Sequence, residues 1–371
     1  MKISIDRNSL LNTLSHVQNV VERRNTVPIL SNILIDAKSN NIVLSATDMD
    51  LSITETIVCS VIEEGSITTA ALTLFEIVRK TPEGSEIELI SNDGSKLSVR
   101  SGKSKFSLSC LPKDEFPIID TQSSGNKLTV KSQVILNLIN KTKFAISNEE
   151  TRYFLNGLYL NIYEKDSKSE VTIVGTDGHR LAKSSHLLNQ KVEQVTGVII
   201  PKKTINELSK LLSDIDQDIE IIISSNKIIF YINNLVFVSK LIDGTFPDYK
   251  RVIPNDNKNI LKINRDKLLS AVDRVSTIAN EKSPVIKFKL LQNILNLNTI
   301  NTESSTASED LDIIYEGDEI EIGFNSKYIM DIVNNLEDEI ITLKLKDGSS
   351  PITAQEKSNS DLVYVLMPMR V

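Results

Sequence analysis

One pattern occurs three times along these 371 residues. A short alternating strand followed by an apolar helical stripe begins at Lys2 (KISIDRNSLLNTLSHV), at Lys127 (KLTVKSQVILNLINKT) and at Ile260 (ILKINRDKLLSAVDRV), so the copies start 125 and 133 residues apart. In that register Leu10, Ile135 and Leu268 coincide, as do Leu11, Leu136 and Leu269, and then Leu14, Ile139 and Val272. The spacing i, i+1, i+4 marks one face of a helix. A second helical stripe recurs midway through each third, in ALTLFEIVRK from Ala71, KKTINELSKLL from Lys202 and NSKYIMDIVNNL from Asn325, with Glu76, Glu207 and Asp331 at matching places. Alternating runs such as NIVLSATDMDLSI, VTIVGTDGHRLA and KFSLSCLP lie between and after the helices and have the period of strands. The closing segments LPKDEFP, LIDGTFP and MPMRV are related as well.

A solenoid unit is about 20–45 residues long, so a copy of this length can bury a core of its own. The expectation is an α+β chain of three similar domains, 1–122, 123–256 and 257–371, each with two helices packed on antiparallel sheets. The boundaries fall in the polar stretches TQSSGN and NDNKN.

Net charge is −7, which argues against a nucleic-acid partner when read over the whole chain. Its distribution reverses that argument. With the helices taken as 6–24, 72–80, 131–143, 202–212, 264–275 and 325–336, Lys and Arg exceed Asp and Glu by 8 within them, which leaves −15 for the rest. Helices apolar on one side and basic on the other, inside an acidic protein, suit a local surface facing phosphates and an outside that repels other nucleic acid.

Geometry then sets the copy number. Six helices side by side at about 10 Å spacing form a circle of about 19 Å at their axes, or about 9 Å clear. A duplex whose major groove alone is about 12 Å wide does not pass. Twelve helices leave about 28 Å clear on the same spacing, so a hole for duplex DNA requires two chains.

Several short motifs point elsewhere and lead nowhere. TDGHR places Asp177, His179 and Arg180 together as a possible acid–base group, but Thr47 and Asp48 occupy the places of Thr176 and Asp177 in the first third. The pair therefore reads as a strand-end turn, with Gly178 serving its geometry. GKS at Gly102–Ser104 lacks the glycine five residues earlier that a phosphate-binding loop needs, since that position is Leu97. No catalytic residue, metal ligand or cofactor is nominated. Cys59 and Cys110 lie in strand-like runs without ligand spacing and are expected as buried free thiols. No run of about 18 apolar residues exists to span a bilayer, and the polar N-terminal segment is unlike a signal peptide, so a cytoplasmic protein is expected.

Over essentially its whole length the chain resembles the bacterial DNA polymerase III beta subunit, the sliding clamp family. The segments that carry the resemblance are TVPIL (26–30), RSGKSKFSLSCLP (100–112), RYFLNGLYL (152–160), TDGHRLA (176–182), SKLIDGTFPDYKRV (239–252), EIGFNSKYIMDIVNNL (321–336) and YVLMPMRV (364–371). The resemblance implies a DNA clamp fold, ring-forming as a head-to-tail homodimer with helices inside and sheets outside. Its function would be that of a processivity factor that encircles duplex DNA without sequence preference and tethers the DNA polymerase III catalytic subunit. It also implies loading by an ATP-driven clamp loader, and capture of other replication and repair proteins through short peptide motifs.

The same resemblance carries over site residues. A partner-peptide cleft is implied at Leu155, Thr176, Gly178, His179, Arg180, Leu181, Pro247, Val252, Ser350, Val365, Met367, Pro368, Met369 and Arg370. For the dimer contact it implies Phe106 and Leu108 on an edge strand against Thr277 and Ile278, with Lys103 and Lys105 facing acidic residues such as Glu303 and Glu309. For DNA phosphates it implies Arg24, Arg152, Tyr153, Lys202 and Lys203. Two positions depart from the family pattern near the DNA: Glu149 stands where a polar amide is frequent, and Phe154 replaces a tyrosine beside Tyr153. The alternative is a protein-interaction scaffold that never encircles DNA.

Overall fold

The structure, a computed structural model, describes residues 1–21, 26–121, 124–165, 167–188, 191–280, 284–300 and 305–370. Six α-helices lie in these residues: α1 (Arg7–Val17), α2 (Ala71–Lys80), α3 (Ser132–Thr142), α4 (Lys202–Leu211), α5 (Arg265–Ser276) and α6 (Ser326–Asn334). The repeated stripe is their buried face. Leu10, Ile135 and Leu268 are buried, as are Leu14, Ile139 and Val272, whereas Leu11, Leu136 and Leu269 are all half-buried. Side chains fix where helices start: Asp6 accepts from the Ser9 amide at 2.8 Å, and Asn264 from the Lys267 amide at 3.0 Å. Each satisfies an amide that the first turn leaves unpaired.

The first helix is shorter than the 6–24 read from the sequence. Valines 17, 20 and 21 continue the helical spacing, but after Val17 the chain switches to tighter bonds, with the Asn19 amide on His16 O and the Val20 amide on Val17 O. Within their observed bounds the six helices hold eleven Lys and Arg against five Asp and Glu, an excess of 6. Two of the eleven face inward. Arg7 is buried and donates to Val78 O and Arg79 O at the end of α2, and buried Lys141 donates to Asn335 O.

The repeat is written into hydrogen bonds as well as into apolar positions. The amides of Arg7, Ser132 and Arg265, equivalent in register, bond to Ser85 O, Gln217 O and Glu339 O. The Arg265 guanidinium reaches Leu336 O just past the end of α6, much as Arg7 reaches the end of α2, and Ser132 Oγ donates to Ile215 O. In each third the first helix thus opens by bonding the chain that leaves the second, and in the first third the acceptors Val78 O and Arg79 O are carbonyls that the helix end leaves free.

Contacts gather the described residues into two compact units, 1–133 with 206–241, and 134–205 with 242–371. These cut across the thirds because strands from different thirds share ladders. In the first unit an eight-stranded antiparallel sheet runs in the order Asn126–Lys131, Asp218–Ile223, Lys227–Ile232, Leu235–Lys240, Leu51–Val58, Asn41–Thr47, Asn32–Lys38 and Gly65–Ala70. Its joint is the ladder that pairs Leu235 with Glu55 and Ser239 with Leu51. In the second unit the order is Val195–Pro201, Gly157–Lys165, Lys168–Thr176, Arg180–Leu187, Val363–Leu366, Ile352–Gln355, Ile340–Leu345 and Asn259–Asn264. There the joint pairs Arg180 with Leu366 and Lys183 with Val363.

Each unit also holds a smaller sheet. The first has five strands, in the order Ser60–Glu63, Lys2–Asp6, Glu86–Ile90, Lys96–Ser101 and Ser104–Ser109, and the second has four, Thr306–Asp312, Ile294–Ile300, Val285–Leu291 and Ile320–Asn325. Ser104–Ser109 and Thr306–Asp312 stand at open edges of these sheets. The two cysteines are free; Cys59 is buried, but Cys110 is only half-buried, because it leaves the sheet from its edge strand.

Candidate functional site

The second unit contains a cavity of about 350 Å³ built around one turn. Strands Lys168–Thr176 and Arg180–Leu187 are joined by a turn that its own side chains stitch together. Thr176 Oγ1 donates to Arg180 O at 2.6 Å and accepts from the Gly178 amide at 3.1 Å, while Asp177 Oδ1 accepts from the His179 and Arg180 amides at 2.9 and 3.0 Å. Gly178 has φ 87°, a left-handed conformation, and a Cβ there would lie 2.5 Å from the Arg152 Nη1. Asp177 is consumed by the turn and by Arg180 Nε at 3.1 Å, and the His179 ring stacks on Tyr328 at 6.3 Å. This is the bonding of a turn.

Three further segments complete the walls. Leu155, buried, and Phe154 come from the 3-10 segment Glu150–Leu155, which kinks at Arg152, and Pro247, Tyr249 and Val252 come from the loop after Phe246. The C-terminal strand supplies Val365, buried, and just after it comes Met367, which is 37% exposed and whose amide donates to His179 O at 2.9 Å. Behind them Phe246 stacks on Tyr159 at 4.8 Å, and burial pushes the Tyr249 hydroxyl above its ordinary pKa. The lining is mostly aliphatic and aromatic, with Thr176, Arg152 and Arg180 as its polar groups. Such a surface holds an apolar segment and orients it at a few points.

The structure brings together Leu155, Thr176, Gly178, Arg180, Leu181, Pro247, Val252, Val365 and Met367 of the residues expected at a cleft. The others stand elsewhere. Ser350 donates its amide and hydroxyl to Asp347, the Met369 amide bonds to Gly323 O, and Arg370 lines a separate cavity with Lys287 and Val285. His179 and Pro368 do not line the cavity. Arg180 lines it, while its guanidinium is held by Asp331 and Phe144 O and lies 4.4 Å from the Tyr328 ring centre.

Three lining residues, Phe154, Tyr249 and Arg152, were not assigned to the cleft from sequence. Tyr249 lies between Pro247 and Val252 in TFPDYKRV, and the turn Tyr249–Arg251 brings all three to one side. Arg152, read for DNA, lines the cavity and is gripped by Glu149 through Nε and Nη2, at 2.8 and 2.6 Å. That pairing holds the Glu149 carboxyl below its usual range and raises the guanidinium.

Of the other residues expected at DNA, Tyr153 is 55% exposed with its ring edge-on to Phe154, Lys202 Nζ lies 2.6 Å from Asn148 Oδ1, and half-buried Lys203 follows it in α4. Arg24 lies outside the described residues, as does Glu303 among the interface residues. Phe106, 40% exposed, and half-buried Leu108 sit on the open edge strand with Lys105, and Lys103 lies in the turn before it. Thr277 and Ile278 follow the end of α5. Glu309 is already engaged by Arg274, at 2.5 and 3.0 Å.

Comparison with known proteins covers the chain from end to end. Models of the N-terminal, central and C-terminal domains of the DNA polymerase III beta subunit match residues 1–120, 129–248 and 250–370. The chain is 40% identical to the beta sliding clamp of Caulobacter vibrioides and 35% identical to that of Escherichia coli K12, each over 372 residues and all of both chains. Among solved structures it is similar to a Bartonella birtlesii sliding clamp bound to griselimycin, with a TM-score of 0.96, 44% identity and full coverage of both chains. A Caulobacter crescentus clamp gives a TM-score of 0.95 at 39% identity, again with full coverage of both. With its threefold repeat, its clamp fold and these full-length matches, the chain belongs to the DNA polymerase III beta subunit family of sliding clamps, processivity factors of DNA replication.

Proposed function

We propose that two copies of this chain close head to tail into a ring of six domains, 1–122, 123–256 and 257–371 from each copy. The ring encircles duplex DNA without reading its sequence. What carries the reading is the rule by which strands join. Within the chain the strand Leu235–Lys240 pairs with Leu51–Val58, and Val363–Leu366 pairs with Arg180–Leu187. The strands left at equivalent places are Ser104–Ser109 and Thr306–Asp312, each bonded on one side among the described residues. Applying the same joint between two copies pairs each of these two edges with its complement on the other copy, so two heterologous, head-to-tail contacts close the ring and neither edge stays exposed.

In this reading Phe106 and Leu108 meet the partner along Thr306–Asp312, with Thr277 and Ile278 beside the joint and Lys103 and Lys105 near the acidic group that includes Glu303 and Glu309. Arg24, Arg152, Tyr153, Lys202 and Lys203 touch phosphates, which position without specifying. The cavity around Gly178 receives short peptide segments from the polymerase III catalytic subunit, the ATP-driven clamp loader and other replication or repair proteins, and it receives griselimycin. The chain works in the cytoplasm as a non-catalytic tether.

The test is topological. Protein loaded on nicked circular DNA is followed after the circle is cut. A ring slides off the new ends, a groove binder stays, and a scaffold that never encircled DNA is not retained before the cut. Equal retention on circle and linear DNA would falsify the ring.

A further inference from the structure

The turn under the cleft has a twin in the first unit. Thr47 Oγ1 donates to Leu51 O and accepts from the Met49 amide, both at 3.0 Å, and Asp48 Oδ1 accepts from the Leu51 amide at 2.7 Å. These are the bonds that Thr176 and Asp177 make. The middle residue is left-handed in both, with φ 81° at Met49 and 87° at Gly178. Pro117 and Ile119 follow Phe116 as Pro247 and Tyr249 follow Phe246. The joining strands also correspond, Val238 standing opposite Ser52 as Val365 stands opposite Leu181. Together they bound a second cavity of about 650 Å³, lined by Thr47, Met49, Ser52, Pro117, Val238 and Lys240 among others.

Ile119 in place of Tyr249 keeps that wall apolar, but three other replacements change the character of the cavity. Met49, 53% exposed, stands where Gly178 leaves room, Ser52 stands for Leu181, and Lys240 stands for Met367. The Lys240 ammonium pairs with Asp50 at 3.0 Å, and Lys227 pairs with Asp120 at 2.6 Å on the same cavity. An apolar segment entering here would strip water from charged groups without offering them partners, and it would find a serine where the other cleft offers a leucine.

We infer that these three positions decide which of the two equivalent cavities accepts an apolar partner segment. The cavity at Met49, Ser52 and Lys240 is a copy whose lining rejects such a segment, so each chain takes one such ligand and not two. The inference rests on the reading that the cavity around Gly178 is the docking cleft.

Calorimetric titration of the full chain with griselimycin tests it, using reciprocal exchanges of the three residues. The unmodified chain binds one equivalent. Gly178→Met, Leu181→Ser and Met367→Lys together weaken that site by about 100-fold or more, since apolar anchors are lost and a charge is introduced. Met49→Gly, Ser52→Leu and Lys240→Met together create a second equivalent. Met367→Lys alone, at a partly exposed position, reports the loss if the triple variant melts early.

Two equivalents on the unmodified chain overturn the inference and leave the docking cleft standing. So does a first-unit exchange that folds, shown by an unchanged thermal melt, and still binds one. If the second-unit exchanges bind as tightly as the unmodified chain, the docking cleft itself is misassigned, a failure distinct from the other two.

Discussion

At the scale of single residues, Ser350 shows how a side chain read for one purpose serves another, here the binding of Asp347. The Asp347 carboxylate accepts the Ser349 and Ser350 amides, both at 2.8 Å, and both hydroxyls at 2.9 Å. These bonds, the Ser349 amide first, hold its pKa down to about 2 from an ordinary 3.8. A carboxylate depressed on folding stabilises the native state fully above its unfolded pKa, and that contribution fades as pH falls from about 3.8 through about 2. In a carboxyl-resolved NMR titration the Asp347 midpoint is expected near 2, and a midpoint at the ordinary value would show that the turn is not formed as described. Ser350, expected at the cleft, is spent here. Sequence resemblance named residues that the structure gathers around one cavity, but not which way each side chain turns. Arg180 is a second instance, because the ring faces and carboxylate that draw it back, Tyr328, Phe144 and Asp331, come from distant parts of the chain.

At the scale of elements, the helix faces were legible and the edges less so. Leu10, Ile135 and Leu268 are fixed by periodicity alone, and all three are buried. The end of α1 was not legible, because Val20 and Val21 keep helical spacing and stay buried while the backbone changes its bonding. Strand order escapes a reading by segments: alternation in NIVLSATDMDLSI marks strand without saying that Leu51–Val58 pairs with Leu235–Lys240, since partners about 180 residues apart leave no local mark. The open edges yield a prediction of their own. Phe106→Ala with Ile278→Ala should convert a dimer to monomers whose circular dichroism is unchanged, as truncating buried anchors costs about 2 kcal/mol or more each. Light scattering reads the mass directly, and a mass that stays at two chains would place the joint elsewhere.

For the whole molecule the contradiction between an acidic chain and a DNA partner becomes a statement about linkage. The helices carry an excess of 6 within a chain of −7, so what lies outside them carries −13. Arg7 and Lys141 are spent on carbonyls inside the fold, and Arg79, Lys210 and Arg274 rest in exposed pairs with Glu76, Glu207 and Glu309 that a phosphate can replace at little cost. Direct affinity for a duplex should therefore be weak and steep in salt. With about four to six phosphates neutralised, equilibrium binding to linear DNA should fall by about 10² to 10³ between 50 and 200 mM salt. A ring already closed on an uncut circle is held by topology, which no counterion replaces. Its retention over the same salt range should change by less than about twofold, because screening weakens contacts and not closure. Measuring both on one preparation separates the two kinds of attachment. If retention on the circle falls as steeply as binding to linear DNA, the protein is held by charge and its ring does not stay closed.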